Sequence, residues 1–88
     1  RKSRADEVRN NSAFFTQYKQ EKAQRFLHYV LNRYEQTGST ELSRERLPAL
    51  IELSGLGTIK DASTAFGGKP AYLLAAFKQL QQQLYYVN

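Results

Sequence analysis

The segment Phe66-Gly67-Gly68-Lys69-Pro70 is the place where the chain comes nearest to a phosphate-binding motif. A P-loop needs a glycine-rich turn ending in Gly-Lys-Ser/Thr, because backbone N–H groups wrap the phosphates and the hydroxyl coordinates magnesium. Here proline occupies the position of the hydroxyl residue. Paired glycines are typical of a helix C-terminus, and proline is typical of the first turn of the next helix. The segment therefore predicts a turn between two helices and no nucleotide site.

Two other sets of residues could carry chemistry, and both are incomplete. His28 is the single histidine, and no metal ligand or triad partner stands four residues to either side of it. Glu41 and Glu45 are one helical turn apart and could form an acid–base pair, but Arg44 and Arg46 lie among them and favour solvated ion pairs. We therefore predict no catalytic residue and no metal site in this chain, and a surface location for His28.

The composition fits one small domain. With 88 residues, of which 41% are hydrophobic, the chain can bury a modest core without disulfides or metal. Cysteine is absent, and no apolar run approaches the roughly 18 residues of a membrane span, so we expect a soluble, cytoplasmic protein without an export signal. The chain begins at Arg1 and contains no methionine, which predicts that it is a piece of a longer polypeptide.

Helical periodicity dominates the first half of the chain. Residues 1–9 are expected to form a frayed basic segment ahead of a single helical C-terminal domain over residues 10–88. Helical order is predicted from about Asp6 to Tyr18. A stronger signal covers Glu21 to Gln36, where apolar residues recur every three or four positions, and Gly38 would cap that helix.

Glycine and proline divide the second half. A turn and a short polar helix with Ser43 as its N-cap are predicted over residues 39–47. Pro48 then suits the first turn of a short apolar segment, ending at Leu53, that is expected to be core.

Two further helices follow. Thr58 and Asp61 resemble a capping box, opening a helix whose Ile59, Ala62, Ser63 and Phe66 share one face. The last helix is predicted from Pro70 to about Tyr86. Its inward stripe consists of Leu73, Ala76, Phe77, Leu80 and Leu84. No segment alternates as a strand would, so the predicted fold is all-α, a compact bundle of about five helices.

Two helical surfaces are candidates for binding. The second predicted helix carries a basic flank suited to phosphates or to an acidic partner: Lys22, Arg25, Tyr29 and Arg33. Pairing of Glu21 with Arg25 on a solvated face explains the same row. The last helix carries the candidate partner-binding residues Tyr72, Leu74, Lys78, Gln81 and Tyr85. Leu74 and Tyr85 would act as partly exposed anchors, unless another helix of the domain covers them.

Several short features follow one another in a set order and spacing. They are Phe14-Phe15 with Tyr18, the helix ending in Arg33-Tyr34, Gly38, Leu47-Pro48, Gly57-Thr58-Ile59, Phe66-Gly67-Gly68-Lys69, Tyr72-Leu73 and Leu84-Tyr85. Together they resemble the C-terminal helical region of the R subunit, the motor and nuclease subunit, of type I restriction enzymes. The resemblance implies that this region docks the subunit onto the methyltransferase core, which is built from methylation and specificity subunits.

The resemblance carries over no catalytic residue and no cofactor. In such R subunits the nuclease and the two helicase-like motor domains, with their ATP and magnesium, lie upstream of the region that this chain matches. The resemblance therefore implies assembly for this chain and site-specific endonuclease activity only for its parent.

A small basic DNA-binding module is the alternative. The net charge of +5 permits nucleic-acid contact, and residues 58–86 contain the short glycine turn of a helix-turn-helix. The last helix begins with Pro70-Ala71-Tyr72-Leu73, however, where a recognition helix would present Arg, Asn or Gln to base edges. Non-specific phosphate contact, with Lys22 and Arg25 among the candidates, is therefore favoured over sequence reading.

Overall fold

The computed structural model describes residues 4–37 and 44–85, apart from the side chain of Tyr85. These residues form six α-helices and no strand, and the prediction of an all-α fold is confirmed. The helices are α1 Arg4–Arg9, α2 Ser12–Thr16, α3 Glu21–Thr37, α4 Leu47–Leu53, α5 Ile59–Ala65 and α6 Pro70–Tyr85, with a 3-10 turn at Arg44–Arg46 ahead of α4. The predicted Gly38 cap, the Ser43 cap and the Glu41 side chain lie outside the described residues.

The predicted helix from Asp6 to Tyr18 is in fact two helices. Asn11 interrupts it, because its side-chain oxygen accepts a hydrogen bond from the backbone N–H of Phe14 at 3.3 Å and so acts as the N-cap of α2. Asparagine competes for backbone groups in this way, which favours a new helix start over continuation.

Residues 4–9, which were expected within a frayed segment, form α1 and bury Ala5 and Val8 in the core. Two arginines connect this short helix to α6 and α3. Arg4 donates from Nε to the backbone carbonyl of Gln83 on α6 at 2.7 Å. Arg9 forms ion pairs with Asp6 at 2.6 Å and with Glu35 on α3 at 2.7 Å.

α3 lies at the centre of the bundle and contacts α1, α2 and α5. Its predicted apolar face is confirmed. The buried residues of that face are Ala23, Phe26, Leu27, Val30 and Leu31.

α4 has Pro48 in its first turn, as predicted, and it buries Leu50 and Ile51. Leu53 is 56% exposed, so the prediction of a core segment is wrong at this end. Leu53 is the last residue of α4 and lies about 160° around the helix from Ile51, at about 100° per residue, so the core covers it less than the preceding turn.

α5 begins with the predicted capping box. The Thr58 N–H donates to Asp61 Oδ2 at 3.1 Å, and the Asp61 N–H donates to Thr58 Oγ1 at 3.2 Å. The hydrogen bonds from Thr58 hold the pKa of Asp61 below its usual value. Ala62, Ser63 and Phe66 share the predicted buried face, but Ile59 is 48% exposed and does not belong to it.

A Schellman motif ends α5 and sets the direction of α6. The Gly67 N–H donates to the Thr64 carbonyl at 3.3 Å, and the Gly68 N–H donates to the Ser63 carbonyl at 2.8 Å. Both glycines have positive φ, 113° at Gly67 and 103° at Gly68. α6 then buries its whole predicted stripe: Leu73, Ala76, Phe77, Leu80 and Leu84. The predicted glycine turn is confirmed.

We expect Gly68→Ala to destabilise the fold by about 1–2 kcal/mol, because an L-residue is strained at positive φ. Gly67→Ala should cost more, since its new Cβ would also lie 2.9 Å from Cδ2 of Tyr72, whereas the Cβ at Gly68 meets nothing within 4 Å. Urea denaturation followed by circular dichroism measures both losses. Equal losses in the two variants would show that the Tyr72 ring does not pack against this turn.

Candidate docking groove

Two adjoining hollows run along one flank of α6. The larger has a volume of about 440 Å³, the smaller about 240 Å³, and Arg44 and Leu74 line both. The larger is lined by Arg44, Ala71, Leu74, Ala75, Phe77, Lys78 and Gln81. The smaller is lined by Arg44, Leu47, Pro48, Ile51, Ile59, Pro70, Leu73 and Leu74. We refer to the two together as the α6 groove.

The α6 groove is an apolar surface that the core leaves uncovered. The inward stripe of α6 holds this helix against α1 and α5. Leu74 lies at the edge of that stripe and is only partly buried, while Ile59, Pro48 and Pro70 are exposed. An exposed apolar patch with polar residues at its margin is typical of a binding surface.

Three of the five residues predicted on α6, namely Leu74, Lys78 and Gln81, line the groove together. Tyr72 does not. It lies about 160° around the helix from Leu74, at about 100° per residue, and its ring lies beside Gly67 on the opposite flank. The Tyr85 side chain lies outside the described residues. The binding role of all five stays a prediction.

The charged groove residues that the structure describes have one sign. Among residues 4–37 and 44–85, Arg44 and Lys78 line the larger hollow, Arg44 also lines the smaller one, and no carboxylate lines either. Both cations are exposed to solvent. The groove therefore combines an apolar floor with positive charge at its margin.

The predicted basic row on α3 divides into two parts. Lys22 and Arg25 are exposed and line a separate hollow of about 170 Å³, outside the α6 groove and beside the turn at residues 54–56. Tyr29 is half-buried against the core, and Arg33 is half-buried as well. Arg25 pairs with Glu21 at 2.8 Å, as the solvated interpretation predicts, and such exposed pairs contribute little to stability.

His28, which the sequence places at the surface, is partly buried. Its ring stacks on Phe15, with 4.0 Å between the ring centroids and 11° between the planes. Sequence periodicity places His28 off the apolar stripe of α3, but α2 packs over that position. Within residues 4–37 and 44–85, no group of three His, Cys, Asp or Glu side chains could hold a metal ion. No helix in these ranges is long and apolar enough to cross a membrane.

Burial, followed by the nearby Arg9 cation, lowers the pKa of His28 below its usual value of about 6.5. The folded chain therefore binds this proton less readily than the unfolded chain does, and His28 makes stability fall as the pH drops through about 6.5. We expect His28→Phe, which keeps a ring against Phe15, to lose less stability than the original chain between pH 7.5 and pH 5.5. Thermal unfolding at the two pH values measures this. Equal losses would mean that His28 does not titrate differently in the folded state.

The family model described as EcoEI R protein C-terminal matches residues 1–85, which include all six helices and the α6 groove. No curated protein and no solved structure matches the chain.

Proposed function

Because the chain belongs to the family of C-terminal domains of type I restriction enzyme R proteins, we propose that it is a non-catalytic assembly domain. It docks the ATP-dependent, DNA-translocating nuclease onto the methyltransferase core. Family membership relates the chain to type I restriction enzyme R proteins. The docking role is our proposal.

The observation that carries this proposal is the α6 groove. Burying Ile59, Leu74 and the exposed prolines against a partner would remove apolar surface from water at roughly 25 cal/mol per Å². The groove lies on a 16-residue helix whose other face is fixed in the core. A rigid surface of this kind loses little conformational freedom on binding, which favours affinity.

Lys69 and His28 are the two residues considered above for chemistry, and the surroundings of both support a non-catalytic role. Lys69 is followed by a proline, and its ammonium group lies 5.9 Å from the centroid of the Tyr72 ring. His28 has one face of its ring covered by Phe15. Each of these two side chains therefore contacts an aromatic ring of the domain, Tyr72 for Lys69 and Phe15 for His28.

Sequence-specific DNA binding fits this geometry poorly. In the first turn of α6, Leu73 is buried, and Tyr72 lies beside the preceding turn. This turn therefore has no side chain that could read base edges as a recognition helix does. Lys22 and Arg25 could still contact phosphates without reading sequence. The salt dependence of binding distinguishes this phosphate contact from docking onto a protein.

The test measures binding of the 88-residue chain to the purified methyltransferase core of its parent enzyme, with and without DNA, at low and physiological salt. We expect binding without DNA and a modest dependence on salt, because an apolar contact carries most of the energy. Failure to bind the core, together with DNA binding that weakens steeply with salt, would replace docking by phosphate contact.

A further inference from the structure

We infer that the α6 groove binds an amphipathic helix of the partner protein whose apolar stripe is flanked by aspartate or glutamate. This inference rests on the proposed docking function and specifies the chemistry of the partner.

The shape of the groove favours a helix as its occupant. From Pro70 to Gln81 the groove follows α6 for eleven residue steps, or about 16 Å. A helix that binds in a groove places anchors at positions i, i+3 or i+4, and i+7, and these span about 10 Å. The α6 groove therefore accommodates three or four anchors from a helix of about twelve residues.

An extended strand fits less well. Strand addition requires a sheet edge with unpaired backbone N–H and C=O groups. The groove is bounded by α4, α5 and α6, whose interior backbone groups are already paired within each helix. Ala71 and Ala75 carry small side chains on the groove side of α6, so a second helix axis can approach closely.

The charges at the margin specify the flanks of the partner helix. Arg44 and Lys78 supply positive charge, and within the part of the chain that the structure describes no acidic residue lines the groove beside them. By contrast, the acids of α1 and the start of α3 are paired locally, as in Arg4–Glu7 and Arg25–Glu21. Complementary charge of this kind selects partners and their orientation more than it adds affinity.

The test uses two fluorescent helical peptides of 18 residues that share one leucine stripe, flanked by glutamates in the first and by lysines in the second. Fluorescence anisotropy with the 88-residue chain at low salt measures both affinities. We expect the glutamate peptide to bind roughly tenfold more tightly, since two exposed charge pairs change from attraction to repulsion.

A charge-reversed chain makes the test specific to this groove. Arg44→Glu with Lys78→Glu should invert the preference, so that the lysine peptide binds more tightly. The matched control is Lys19→Glu with Lys69→Glu, which changes net charge equally at exposed residues that do not line the groove. This control should retain the preference for the glutamate peptide.

Equal binding of the two peptides, or binding of neither, would overturn the inference. Self-association of the chain that Leu74→Asp abolishes, measured by sedimentation at the same concentrations, would also overturn it, because a second copy would be the occupant. A chain that binds the methyltransferase core without preferring either peptide would retain the docking function and lose this inference. The reverse result would retain the inference and reject docking onto the core.

Discussion

Replacing Phe26 by alanine is expected to lower the free energy of unfolding by about 3–5 kcal/mol. Phe26 lies on α3, is 1% exposed, and meets Phe66 edge to face with 6.1 Å between the ring centroids. Phe66 also contacts Tyr18, at 5.6 Å. The substitution leaves a cavity where the end of α5 packs on α3. Native proteins are stable by only about 5–15 kcal/mol, so this loss is a large fraction of the total free energy of unfolding.

The matched control is Ile59→Ala, because Ile59 is also a large apolar residue but is 48% exposed. We expect its effect to stay within about 0.5 kcal/mol, as for most surface substitutions. Urea titrations of both variants, followed by circular dichroism, measure the difference. A loss below about 1 kcal/mol for Phe26→Ala would contradict the packing of α5 on α3 described above.

The parts of the fold that the sequence predicts correctly are those that local rules determine. The stripes of α3 and α6 follow from apolar spacing, because both helices are long enough for the period to be visible. The capping box at Thr58 and the turn at Gly67 and Gly68 follow from residue types at fixed offsets. The capping box and the turn each depend on hydrogen bonds between residues that lie within about six positions of each other.

The features that the sequence does not predict depend on contacts between distant residues. Val8 is buried because α1 packs against α3 and α6, and Arg4 of the same helix reaches the backbone of Gln83, 79 residues away. His28 is half-buried because Phe15 packs over it from another helix. Periodicity within one helix cannot show which neighbour covers a residue at the edge of its apolar face.

The candidate site shows the same division. Leu74, Lys78 and Gln81 can be grouped from the sequence, because they lie within about 60° of one another around α6. Tyr72 could have been separated from them by the same geometry, since it lies on the other flank of the inward stripe. Pro48 and Ile59 complete the groove from α4 and α5, and only the packing of those helices brings them there.

Replacing Leu74 by aspartate is expected to weaken binding of the 88-residue chain to the methyltransferase core at least about 30-fold, which corresponds to about 2 kcal/mol or more. Leu74 lines both hollows of the groove, so a carboxylate there would have to be desolvated in the complex. Because Leu74 is only partly buried in the free chain, we expect the fold to persist, with a loss of about 1 kcal/mol. Calorimetric titration measures the affinity, and circular dichroism with urea checks the fold.

Tyr72→Asp is the matched control, because it places the same charge on the opposite flank of α6, where Tyr72 is 48% exposed. This variant should bind the core within about threefold of the original affinity, as rim positions usually do. A large loss on Tyr72→Asp with Leu74→Asp unaffected would place docking on the other flank of α6 and reject the groove. If both variants bind as the original chain does, α6 is not the contact, and the exposed pair Lys22 and Arg25 on α3 becomes the surface to test.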